Sequence, residues 1–441
     1  MNYEKDVSYE RIKDILKDHT RLLHHKKSLD PLMDAIGDRK IVMLGEASHG
    51  THEFYLWRAM ISQRLIEEKG FRFIAVEGDW PDCYQLNRYI KGYQPELSSP
   101  EEVLRRFDRW PTWMWANWEV ASLASWLHGF NQRLPANQRI GFYGLDVYSL
   151  WESLEAMIGY LDKEDRHAAE EVRELSRCFE PYRGEGGQAY AWAARQTVPA
   201  PCQEDVLNLL RTIRERVPHY DQDQEAVIST EQNAHVVHNA EKYYRAMIGF
   251  GPESWNVRDH HMTDTLDRLM DFHGQDAKAI IWEHNTHIGD ARATDMAEDG
   301  LVNVGQLVRE RYGRENTFAL GFGSYEGSVI ASNKWGAPME KMQVPQARYH
   351  SWEDLMHQAS PHNSLLLMED VRHEDDLKVP LAHRAIGVVY HPEQESRGNY
   401  VPSDMTERYD AFIHIEKSEA LHPLHLAADQ AKTPESYPWG L

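Results

Sequence analysis

Short apolar runs recur along the chain at Lys40–Gly45, Phe71–Glu77, Arg139–Leu145 and Lys278–Trp282. Each has the length and Ile, Val, Phe or Leu content of a strand buried on both faces. Later candidates are Thr317–Phe322, Ser364–Met368, Ala385–Tyr390 and Ala411–Ile415. Between the early runs lie helical patterns. The clearest is His52–Lys69, where Phe54, Trp57, Ile61 and Leu65 recur at helical spacing. Strand–helix–strand alternation predicts an α/β fold, a central mostly parallel sheet flanked by helices in three layers.

The pattern changes over residues 151–255, where no strand is evident. Val206, Leu209, Leu210, Ile213 and Val217 mark one helix, and Ile228, Val236, Ala240, Tyr244 and Met247 a longer one. A turn-rich section, Pro181–Gly187, lies between Leu150 and these helices. The expected organisation is an α/β core over residues 1–150 and 256–441, interrupted by a helical insertion or cap at 151–255. The Pro-rich end, Lys432–Leu441, is expected to be peripheral.

Composition narrows the function. Hydrophobic residues make up 41% of 441 and charged residues 27%, which excludes a collagenous or disordered chain. The 48 basic and 70 acidic residues give a net charge of −22 without a Lys/Arg cluster, so neither nucleic acid nor an anionic membrane is an expected partner. No apolar run approaches the ~18 residues of a membrane span, and the charged start, MNYEKDVSYERIKDILKDH, lacks a secretory signal. Cys83, Cys178 and Cys202 are odd in number and widely spaced. They predict no zinc spacing, no disulfide framework and a cytoplasmic, reducing setting. Oligomeric state is not legible.

Candidate chemistry gathers where strands end. In Leu44–Arg58 (LGEASHGTHEFYLWR) an apolar strand is followed by Glu46, His49 and Gly50, then a helix. Ligands of α/β folds bind at the carboxyl ends of strands, so a carboxylate and an imidazole there suit acid–base work. Arg58 falls on or beside the apolar stripe of its helix; it either pairs with an acid such as Glu46 or snorkels at the stripe's edge. The next two strands end in Glu77 and Asp146, and the fourth in Glu283–His284–Asn285–Thr286–His287. Acids from successive strand ends suggest a built site, although each alone suits a cap or a salt bridge. Trp113, Trp115 and Asn117 offer an aromatic wall or a packed helix start. Arg258 lines the same cleft or pins the cap to the core.

Taken in order, LGEASHGTHEFYLWR, IAVEGDWPD, WMWAN, GLDVYSL, SWNVRDHHM and WEHNTHIGDAR resemble the erythromycin esterase family, from about Asp38 to the last strand. The resemblance implies an α/β sheet core with an active-site cleft. In the resistance enzymes it implies hydrolytic opening of a macrolide lactone; other members carry a polysaccharide-biosynthesis label, often succinoglycan. It places the family's essential groups on Glu46, His49, Arg58, Glu77, His284 and His287, with no cofactor. The expected activity is therefore hydrolysis of a small-molecule ester, a lactone first, by a His49-activated water. No GxSxG elbow indicates a serine nucleophile. The same His/Glu set as ligands to Zn, Mn or Fe, a non-catalytic iron or haem protein, and an accessory role in polysaccharide assembly are the alternatives.

Overall fold

The computed structural model describes residues 2–183, 190–191, 202–217, 223–247, 249 and 251–425. The end of the turn-rich section (184–187) and the Pro-rich tail lie outside these residues. The chain divides into two compact units. The first joins Met1–Ile74, Leu86–Gly141 and Ala277–Leu441; the second joins Ala75–Gln85 and Phe142–Asp276.

In chain order the strands are β1 (Arg21–Leu22), β2 (Ile41–Leu44), β3 (Phe73–Asp79), β4 (Gly141–Asp146), β5 (Ala279–Trp282), β6 (Thr317–Ala331), β7 (Glu340–Val344), β8 (Ser364–Leu367), β9 (Leu381–Arg384), β10 (Tyr400–Ser403) and β11 (Ala411–Ser418). In the first unit the order is β1–β8–β11–β6–β2–β5, with β7 on β6. The central pairs β11–β6, β6–β2 and β2–β5 are parallel, and β8, β1 and β7 add antiparallel edges. The fold is thus the expected α/β class, a mixed, mostly parallel sheet flanked by helices. Every residue of β2, β5 and β8 is buried. That is why these strands read as unbroken apolar runs.

The Ala385–Tyr390 run is not a strand. Its backbone bonds go to three separate partners: Ala385 N donates to Asn399 O, Ile386 N to Ala47 O, and Tyr390 N to Ser332 O. Scattered partners leave no ladder. The pairing strand is the preceding β9, which joins β10 in a small antiparallel sheet.

In the second unit β3 ends beside β4, and among the described residues the α-helices Leu150–Glu164, Arg166–Ser176, Gln203–Arg216, Gln224–Met247 and Glu253–His273 follow. The first four share a core that includes Leu154, Met157, Leu161, Val172, Val206, Leu209, Ile213 and Ala240. The expectation of no disulfide is corrected here. Cys178 and Cys202 are bonded, with Cα atoms 5.7 Å apart, inside the range a disulfide spans. Cys83 is buried and free, so the odd count reflects one core thiol beside one bridge. Among the described residues, no helix is long and apolar enough to cross a membrane.

Candidate active site

Register builds the first cluster. Parallel pairing sets Leu44 of β2 beside Trp282 of β5, so Glu46 and His284 each stand two residues beyond a paired position. The two strand ends are then tied directly, Asn285 N donating to Glu46 O at 2.8 Å. Gly45 is required at this crossing, because a Cβ there would overlap the Asn285 Oδ1 atom. Beyond it the chain turns into the His52–Lys69 helix, whose stripe residues Phe54, Trp57, Ile61 and Leu65 are buried.

Glu46 sits between two partners. Its Oε1 lies 2.9 Å from His49 Nδ1, and its Oε2 accepts from Arg58 Nη2 at 2.6 Å. Both Glu46 and Arg58 are at most 1% exposed. A carboxylate accepts only, so it selects the His49 tautomer with the proton on Nδ1 and leaves Nε2 as the basic nitrogen. The His284 ring lies beside the His49 ring, with centroids 4.9 Å apart. Its tautomer is the opposite one. Thr286 N donates to His284 Nδ1 at 3.2 Å, with Thr286 Oγ1 at 2.8 Å, so neutral His284 carries its proton on Nε2 and is a donor there. The site thus pairs one imidazole that accepts with one that donates.

Arg58 does not act as a bidentate fork. Among the described residues its Nε and Nη1 atoms have no hydrogen-bond partner. Its guanidinium carbon instead lies 4.3 Å from the Tyr55 ring centre and 4.7 Å from the Trp282 ring centre. The buried charge is met by one carboxylate oxygen and two π faces. His287 is buried on the same short turn as His284, Asn285–Ile288. Trp113 and Trp115 are buried as well. Asn117 caps the Trp118–Asn131 helix: its Oδ1 accepts from Val120 N at 2.8 Å, and its Nδ2 donates to Trp113 O and Met114 O.

Within the second unit, Glu77, Asp146 and Arg258 meet in one cluster. Arg258 Nε donates to Asp146 Oδ1 at 2.9 Å, and its Nη2 donates to Asp146 Oδ2 and Glu77 Oε1, both at 2.7 Å. The guanidinium also faces the Tyr148 ring at 4.9 Å. Burial works to lower the Arg258 pKa, but Asp146, Tyr148 and Glu77 outweigh it and hold it well above its usual value. Here the bidentate fork does occur, on an Arg that motif position alone left ambiguous.

This unit also buries neutral imidazoles. Burial, helped by Arg268, pushes His261 down from 6.5 to about 4. A folded-state pKa below the unfolded one gives stability that is present above pH 6.5 and lost as pH falls through about 4. The shift corresponds to about 3 kcal/mol. His261→Gln should therefore lose less stability than wild type between pH 7 and pH 4, by about 3 kcal/mol, in urea titrations at the two pH values. Equal losses would remove His261 as an acid-sensitive group.

Buried polar groups outside the predicted set lie behind the first cluster. Asn285 Nδ2 donates to Phe322 O at 2.6 Å and lies 3.3 Å from His383 Nε2. His383 Nδ1 is in turn 2.5 Å from Glu353 Oε1. This chain holds the strand-end turn in place from behind. Asn285 lies inside the quoted WEHNTHIGDAR segment, whereas His383 on β9 and Glu353 on the Trp352–Ala359 helix lie outside every quoted motif. A cavity of about 560 Å³ elsewhere in the first unit, lined by Asp290, Arg292, Asp404 and others, contains none of the predicted residues.

Comparison with known proteins bears on all of this. The erythromycin esterase family model matches residues 66–418. Erythromycin esterase type II of Escherichia coli is 22% identical over 417 residues, covering 88% of this chain and 92% of that protein. Among solved structures, a succinoglycan biosynthesis protein superposes with a TM-score of 0.73 at 20% identity, covering 94% of this chain and 98% of that one. A mutant erythromycin esterase in its open conformation superposes with a TM-score of 0.67 at 17% identity, covering 91% and 97%. These structural likenesses establish the fold, and the family assignment supports an esterase-type hydrolase. The chain belongs to the erythromycin esterase family.

Proposed function

We propose that this protein hydrolyses a carboxylic ester, with a lactone as the first substrate class to test, through a water activated by His49. The observation that carries the reading is the pair of Nδ1 contacts, Glu46 Oε1 on His49 and Thr286 N on His284, from which opposed tautomers follow. His49 Nε2 takes a proton from water as the water oxygen attacks the ester carbonyl carbon. Glu46 supports the imidazolium that forms, and Arg58 fixes the second oxygen of Glu46. His284 Nε2–H donates to the tetrahedral oxyanion, with His287 as a second candidate donor for it or for the leaving alkoxide. Collapse breaks the carbon–oxygen single bond, and the proton returns from His49 to the alkoxide. Ester plus water becomes acid plus alcohol; in a lactone both products remain one hydroxy acid.

Glu77, Asp146 and Arg258 form the polar cluster we assign to substrate binding in the second unit. Trp113, Trp115 and Asn117 we assign to shaping the binding wall through packing. The name of the Escherichia coli relative makes macrolides the natural first panel.

The test is a hydrolysis screen of macrolides and simple lactones with chelator-treated protein, read by mass spectrometry as a gain of one water. Ring opening by the treated protein supports the reading. Chelation is expected to leave turnover unchanged, because His49 rather than a metal-bound hydroxide supplies the base. Activity lost in EDTA and restored by one metal would transfer the role to a metal-dependent mechanism. No turnover of any ester would overturn the proposal.

A further inference from the structure

A second imidazole–carboxylate cluster stands three residues beyond His49 and takes no part in the chemistry above. His52 opens the His52–Lys69 helix, Glu119 lies in the first turn of the Trp118–Asn131 helix, and His422 comes from the segment after β11. That segment is laced between the two helix starts. His52 N donates to Glu419 O, Leu421 N to Gly50 O, Trp118 N to His422 O and Leu424 N to Ala116 O, all between 2.8 and 3.0 Å.

The side-chain geometry converges on one point. His52 Nδ1 and His422 Nδ1 each lie 2.7 Å from the same oxygen, Glu119 Oε1. The three ligand atoms all fall within 4.8 Å of one another. Glu119 Oε2 is buried and has no hydrogen-bond partner among the described residues. Two imidazole donors arranged only for hydrogen bonding would satisfy more of Glu119 by using both of its oxygens. As a hydrogen-bonded triad the arrangement leaves Glu119 Oε2 buried and unsatisfied; a cation among the three ligand atoms, which already lie within 4.8 Å of one another, draws both imidazoles off the single oxygen onto a common centre. The surroundings are acidic: Glu53 is half-buried beside His52, and its Oε2 accepts from Glu419 N at 2.9 Å. A divalent charge offsets Glu53 and Glu119 together. Access is available on one side, since the His422 side chain is 35% exposed while that of Glu119 is 2% exposed.

We propose that His52, Glu119 and His422 bind a divalent transition metal of the zinc class. The metal clips the 419–424 segment to the starts of the two helices, with a fourth position open to water past His422. Two imidazole nitrogens and one carboxylate oxygen are a donor set zinc accepts. The clip is a fastening of the first unit. It does not depend on the hydrolase reading, which names His49 as base.

The experiment uses the full chain stripped with chelator and dialysed. Zinc alone is titrated calorimetrically, melting temperature is read with and without zinc, and cobalt is added to seek visible d–d absorption. The expected result is one tight zinc per chain, a raised melting temperature and a cobalt spectrum. His422→Ala, a change at the exposed edge, should weaken zinc at least ~10-fold and remove both the spectrum and the thermal shift. His373→Ala, at an exposed histidine outside the cluster, should match wild type. If His422→Ala binds zinc like wild type, the metal sits on other histidines and the proposal fails. If wild type binds none, the cluster is a hydrogen-bonded triad only.

Discussion

His49→Ala should lower turnover by ~10²–10⁴-fold, the usual cost of losing a general base, while the melting temperature stays close to that of wild type. The reason for a small structural cost lies in how Glu46 is held. Removing the imidazole takes away the contact to Oε1, but Oε2 keeps its bond to Arg58, so the buried carboxylate is not stranded. The turn itself is fixed by backbone bonds that do not involve the ring, including Gly45 N to Leu320 O and Asn285 N to Glu46 O. Glu46→Gln separates base from orienter. A Gln at 46 presents an amide where a carboxylate selected the tautomer, so turnover should fall by less than in His49→Ala and the pH profile should shift. A folded His49→Ala protein with wild-type turnover would remove His49 from the mechanism.

The same physics explains what could and could not be read from the sequence. β2 and β5 were legible because strands buried on both faces leave continuous apolar runs, and IVML and AIIW are buried throughout. β7, EKMQV, is an edge strand with a largely exposed pattern, and no apolar run marks it. Ala385–Tyr390 has the composition of a strand but spreads its backbone bonds over three partners; composition cannot report where a partner lies. In the candidate site, the nearness of Glu46 to Arg58 was legible because helical spacing put Arg58 beside the buried stripe just downstream of Glu46. The partner of Glu77 was not, since Arg258 is 181 residues away in sequence. Nor was the Cys178–Cys202 bond, 24 residues apart with no spacing signature. Local periodicity fixes faces; pairing across long separations is settled by the register of the sheet and the packing of helices.

Arg58→Lys should be far from conservative, for a reason the structure supplies. The sequence leaves Arg58 either paired with an acid such as Glu46 or snorkelling at the stripe's edge. The guanidinium makes one charged bond to Glu46 and lies against the faces of Tyr55 and Trp282. A flat, weakly hydrated cation suits that slot. A compact ammonium holds its water more strongly and cannot stack on two rings while reaching Glu46. At a fully buried position, a mispaired charge costs ~3–5 kcal/mol, so the urea midpoint should fall by a corresponding amount. Turnover should fall too, because Glu46 loses the partner that holds its second oxygen and with it the orientation of His49. Arg58→Met tests the charge separately. It keeps apolar contact with Tyr55 and Trp282 but leaves Glu46 with His49 alone. Stability should then fall at least as far as in Arg58→Lys, because the buried Glu46 carboxylate loses its cation altogether, and turnover stays low. If Arg58→Lys matches wild type in both midpoint and turnover, the Glu46–Arg58 pair is not what holds the base, and the assignment of His49 loses its structural support.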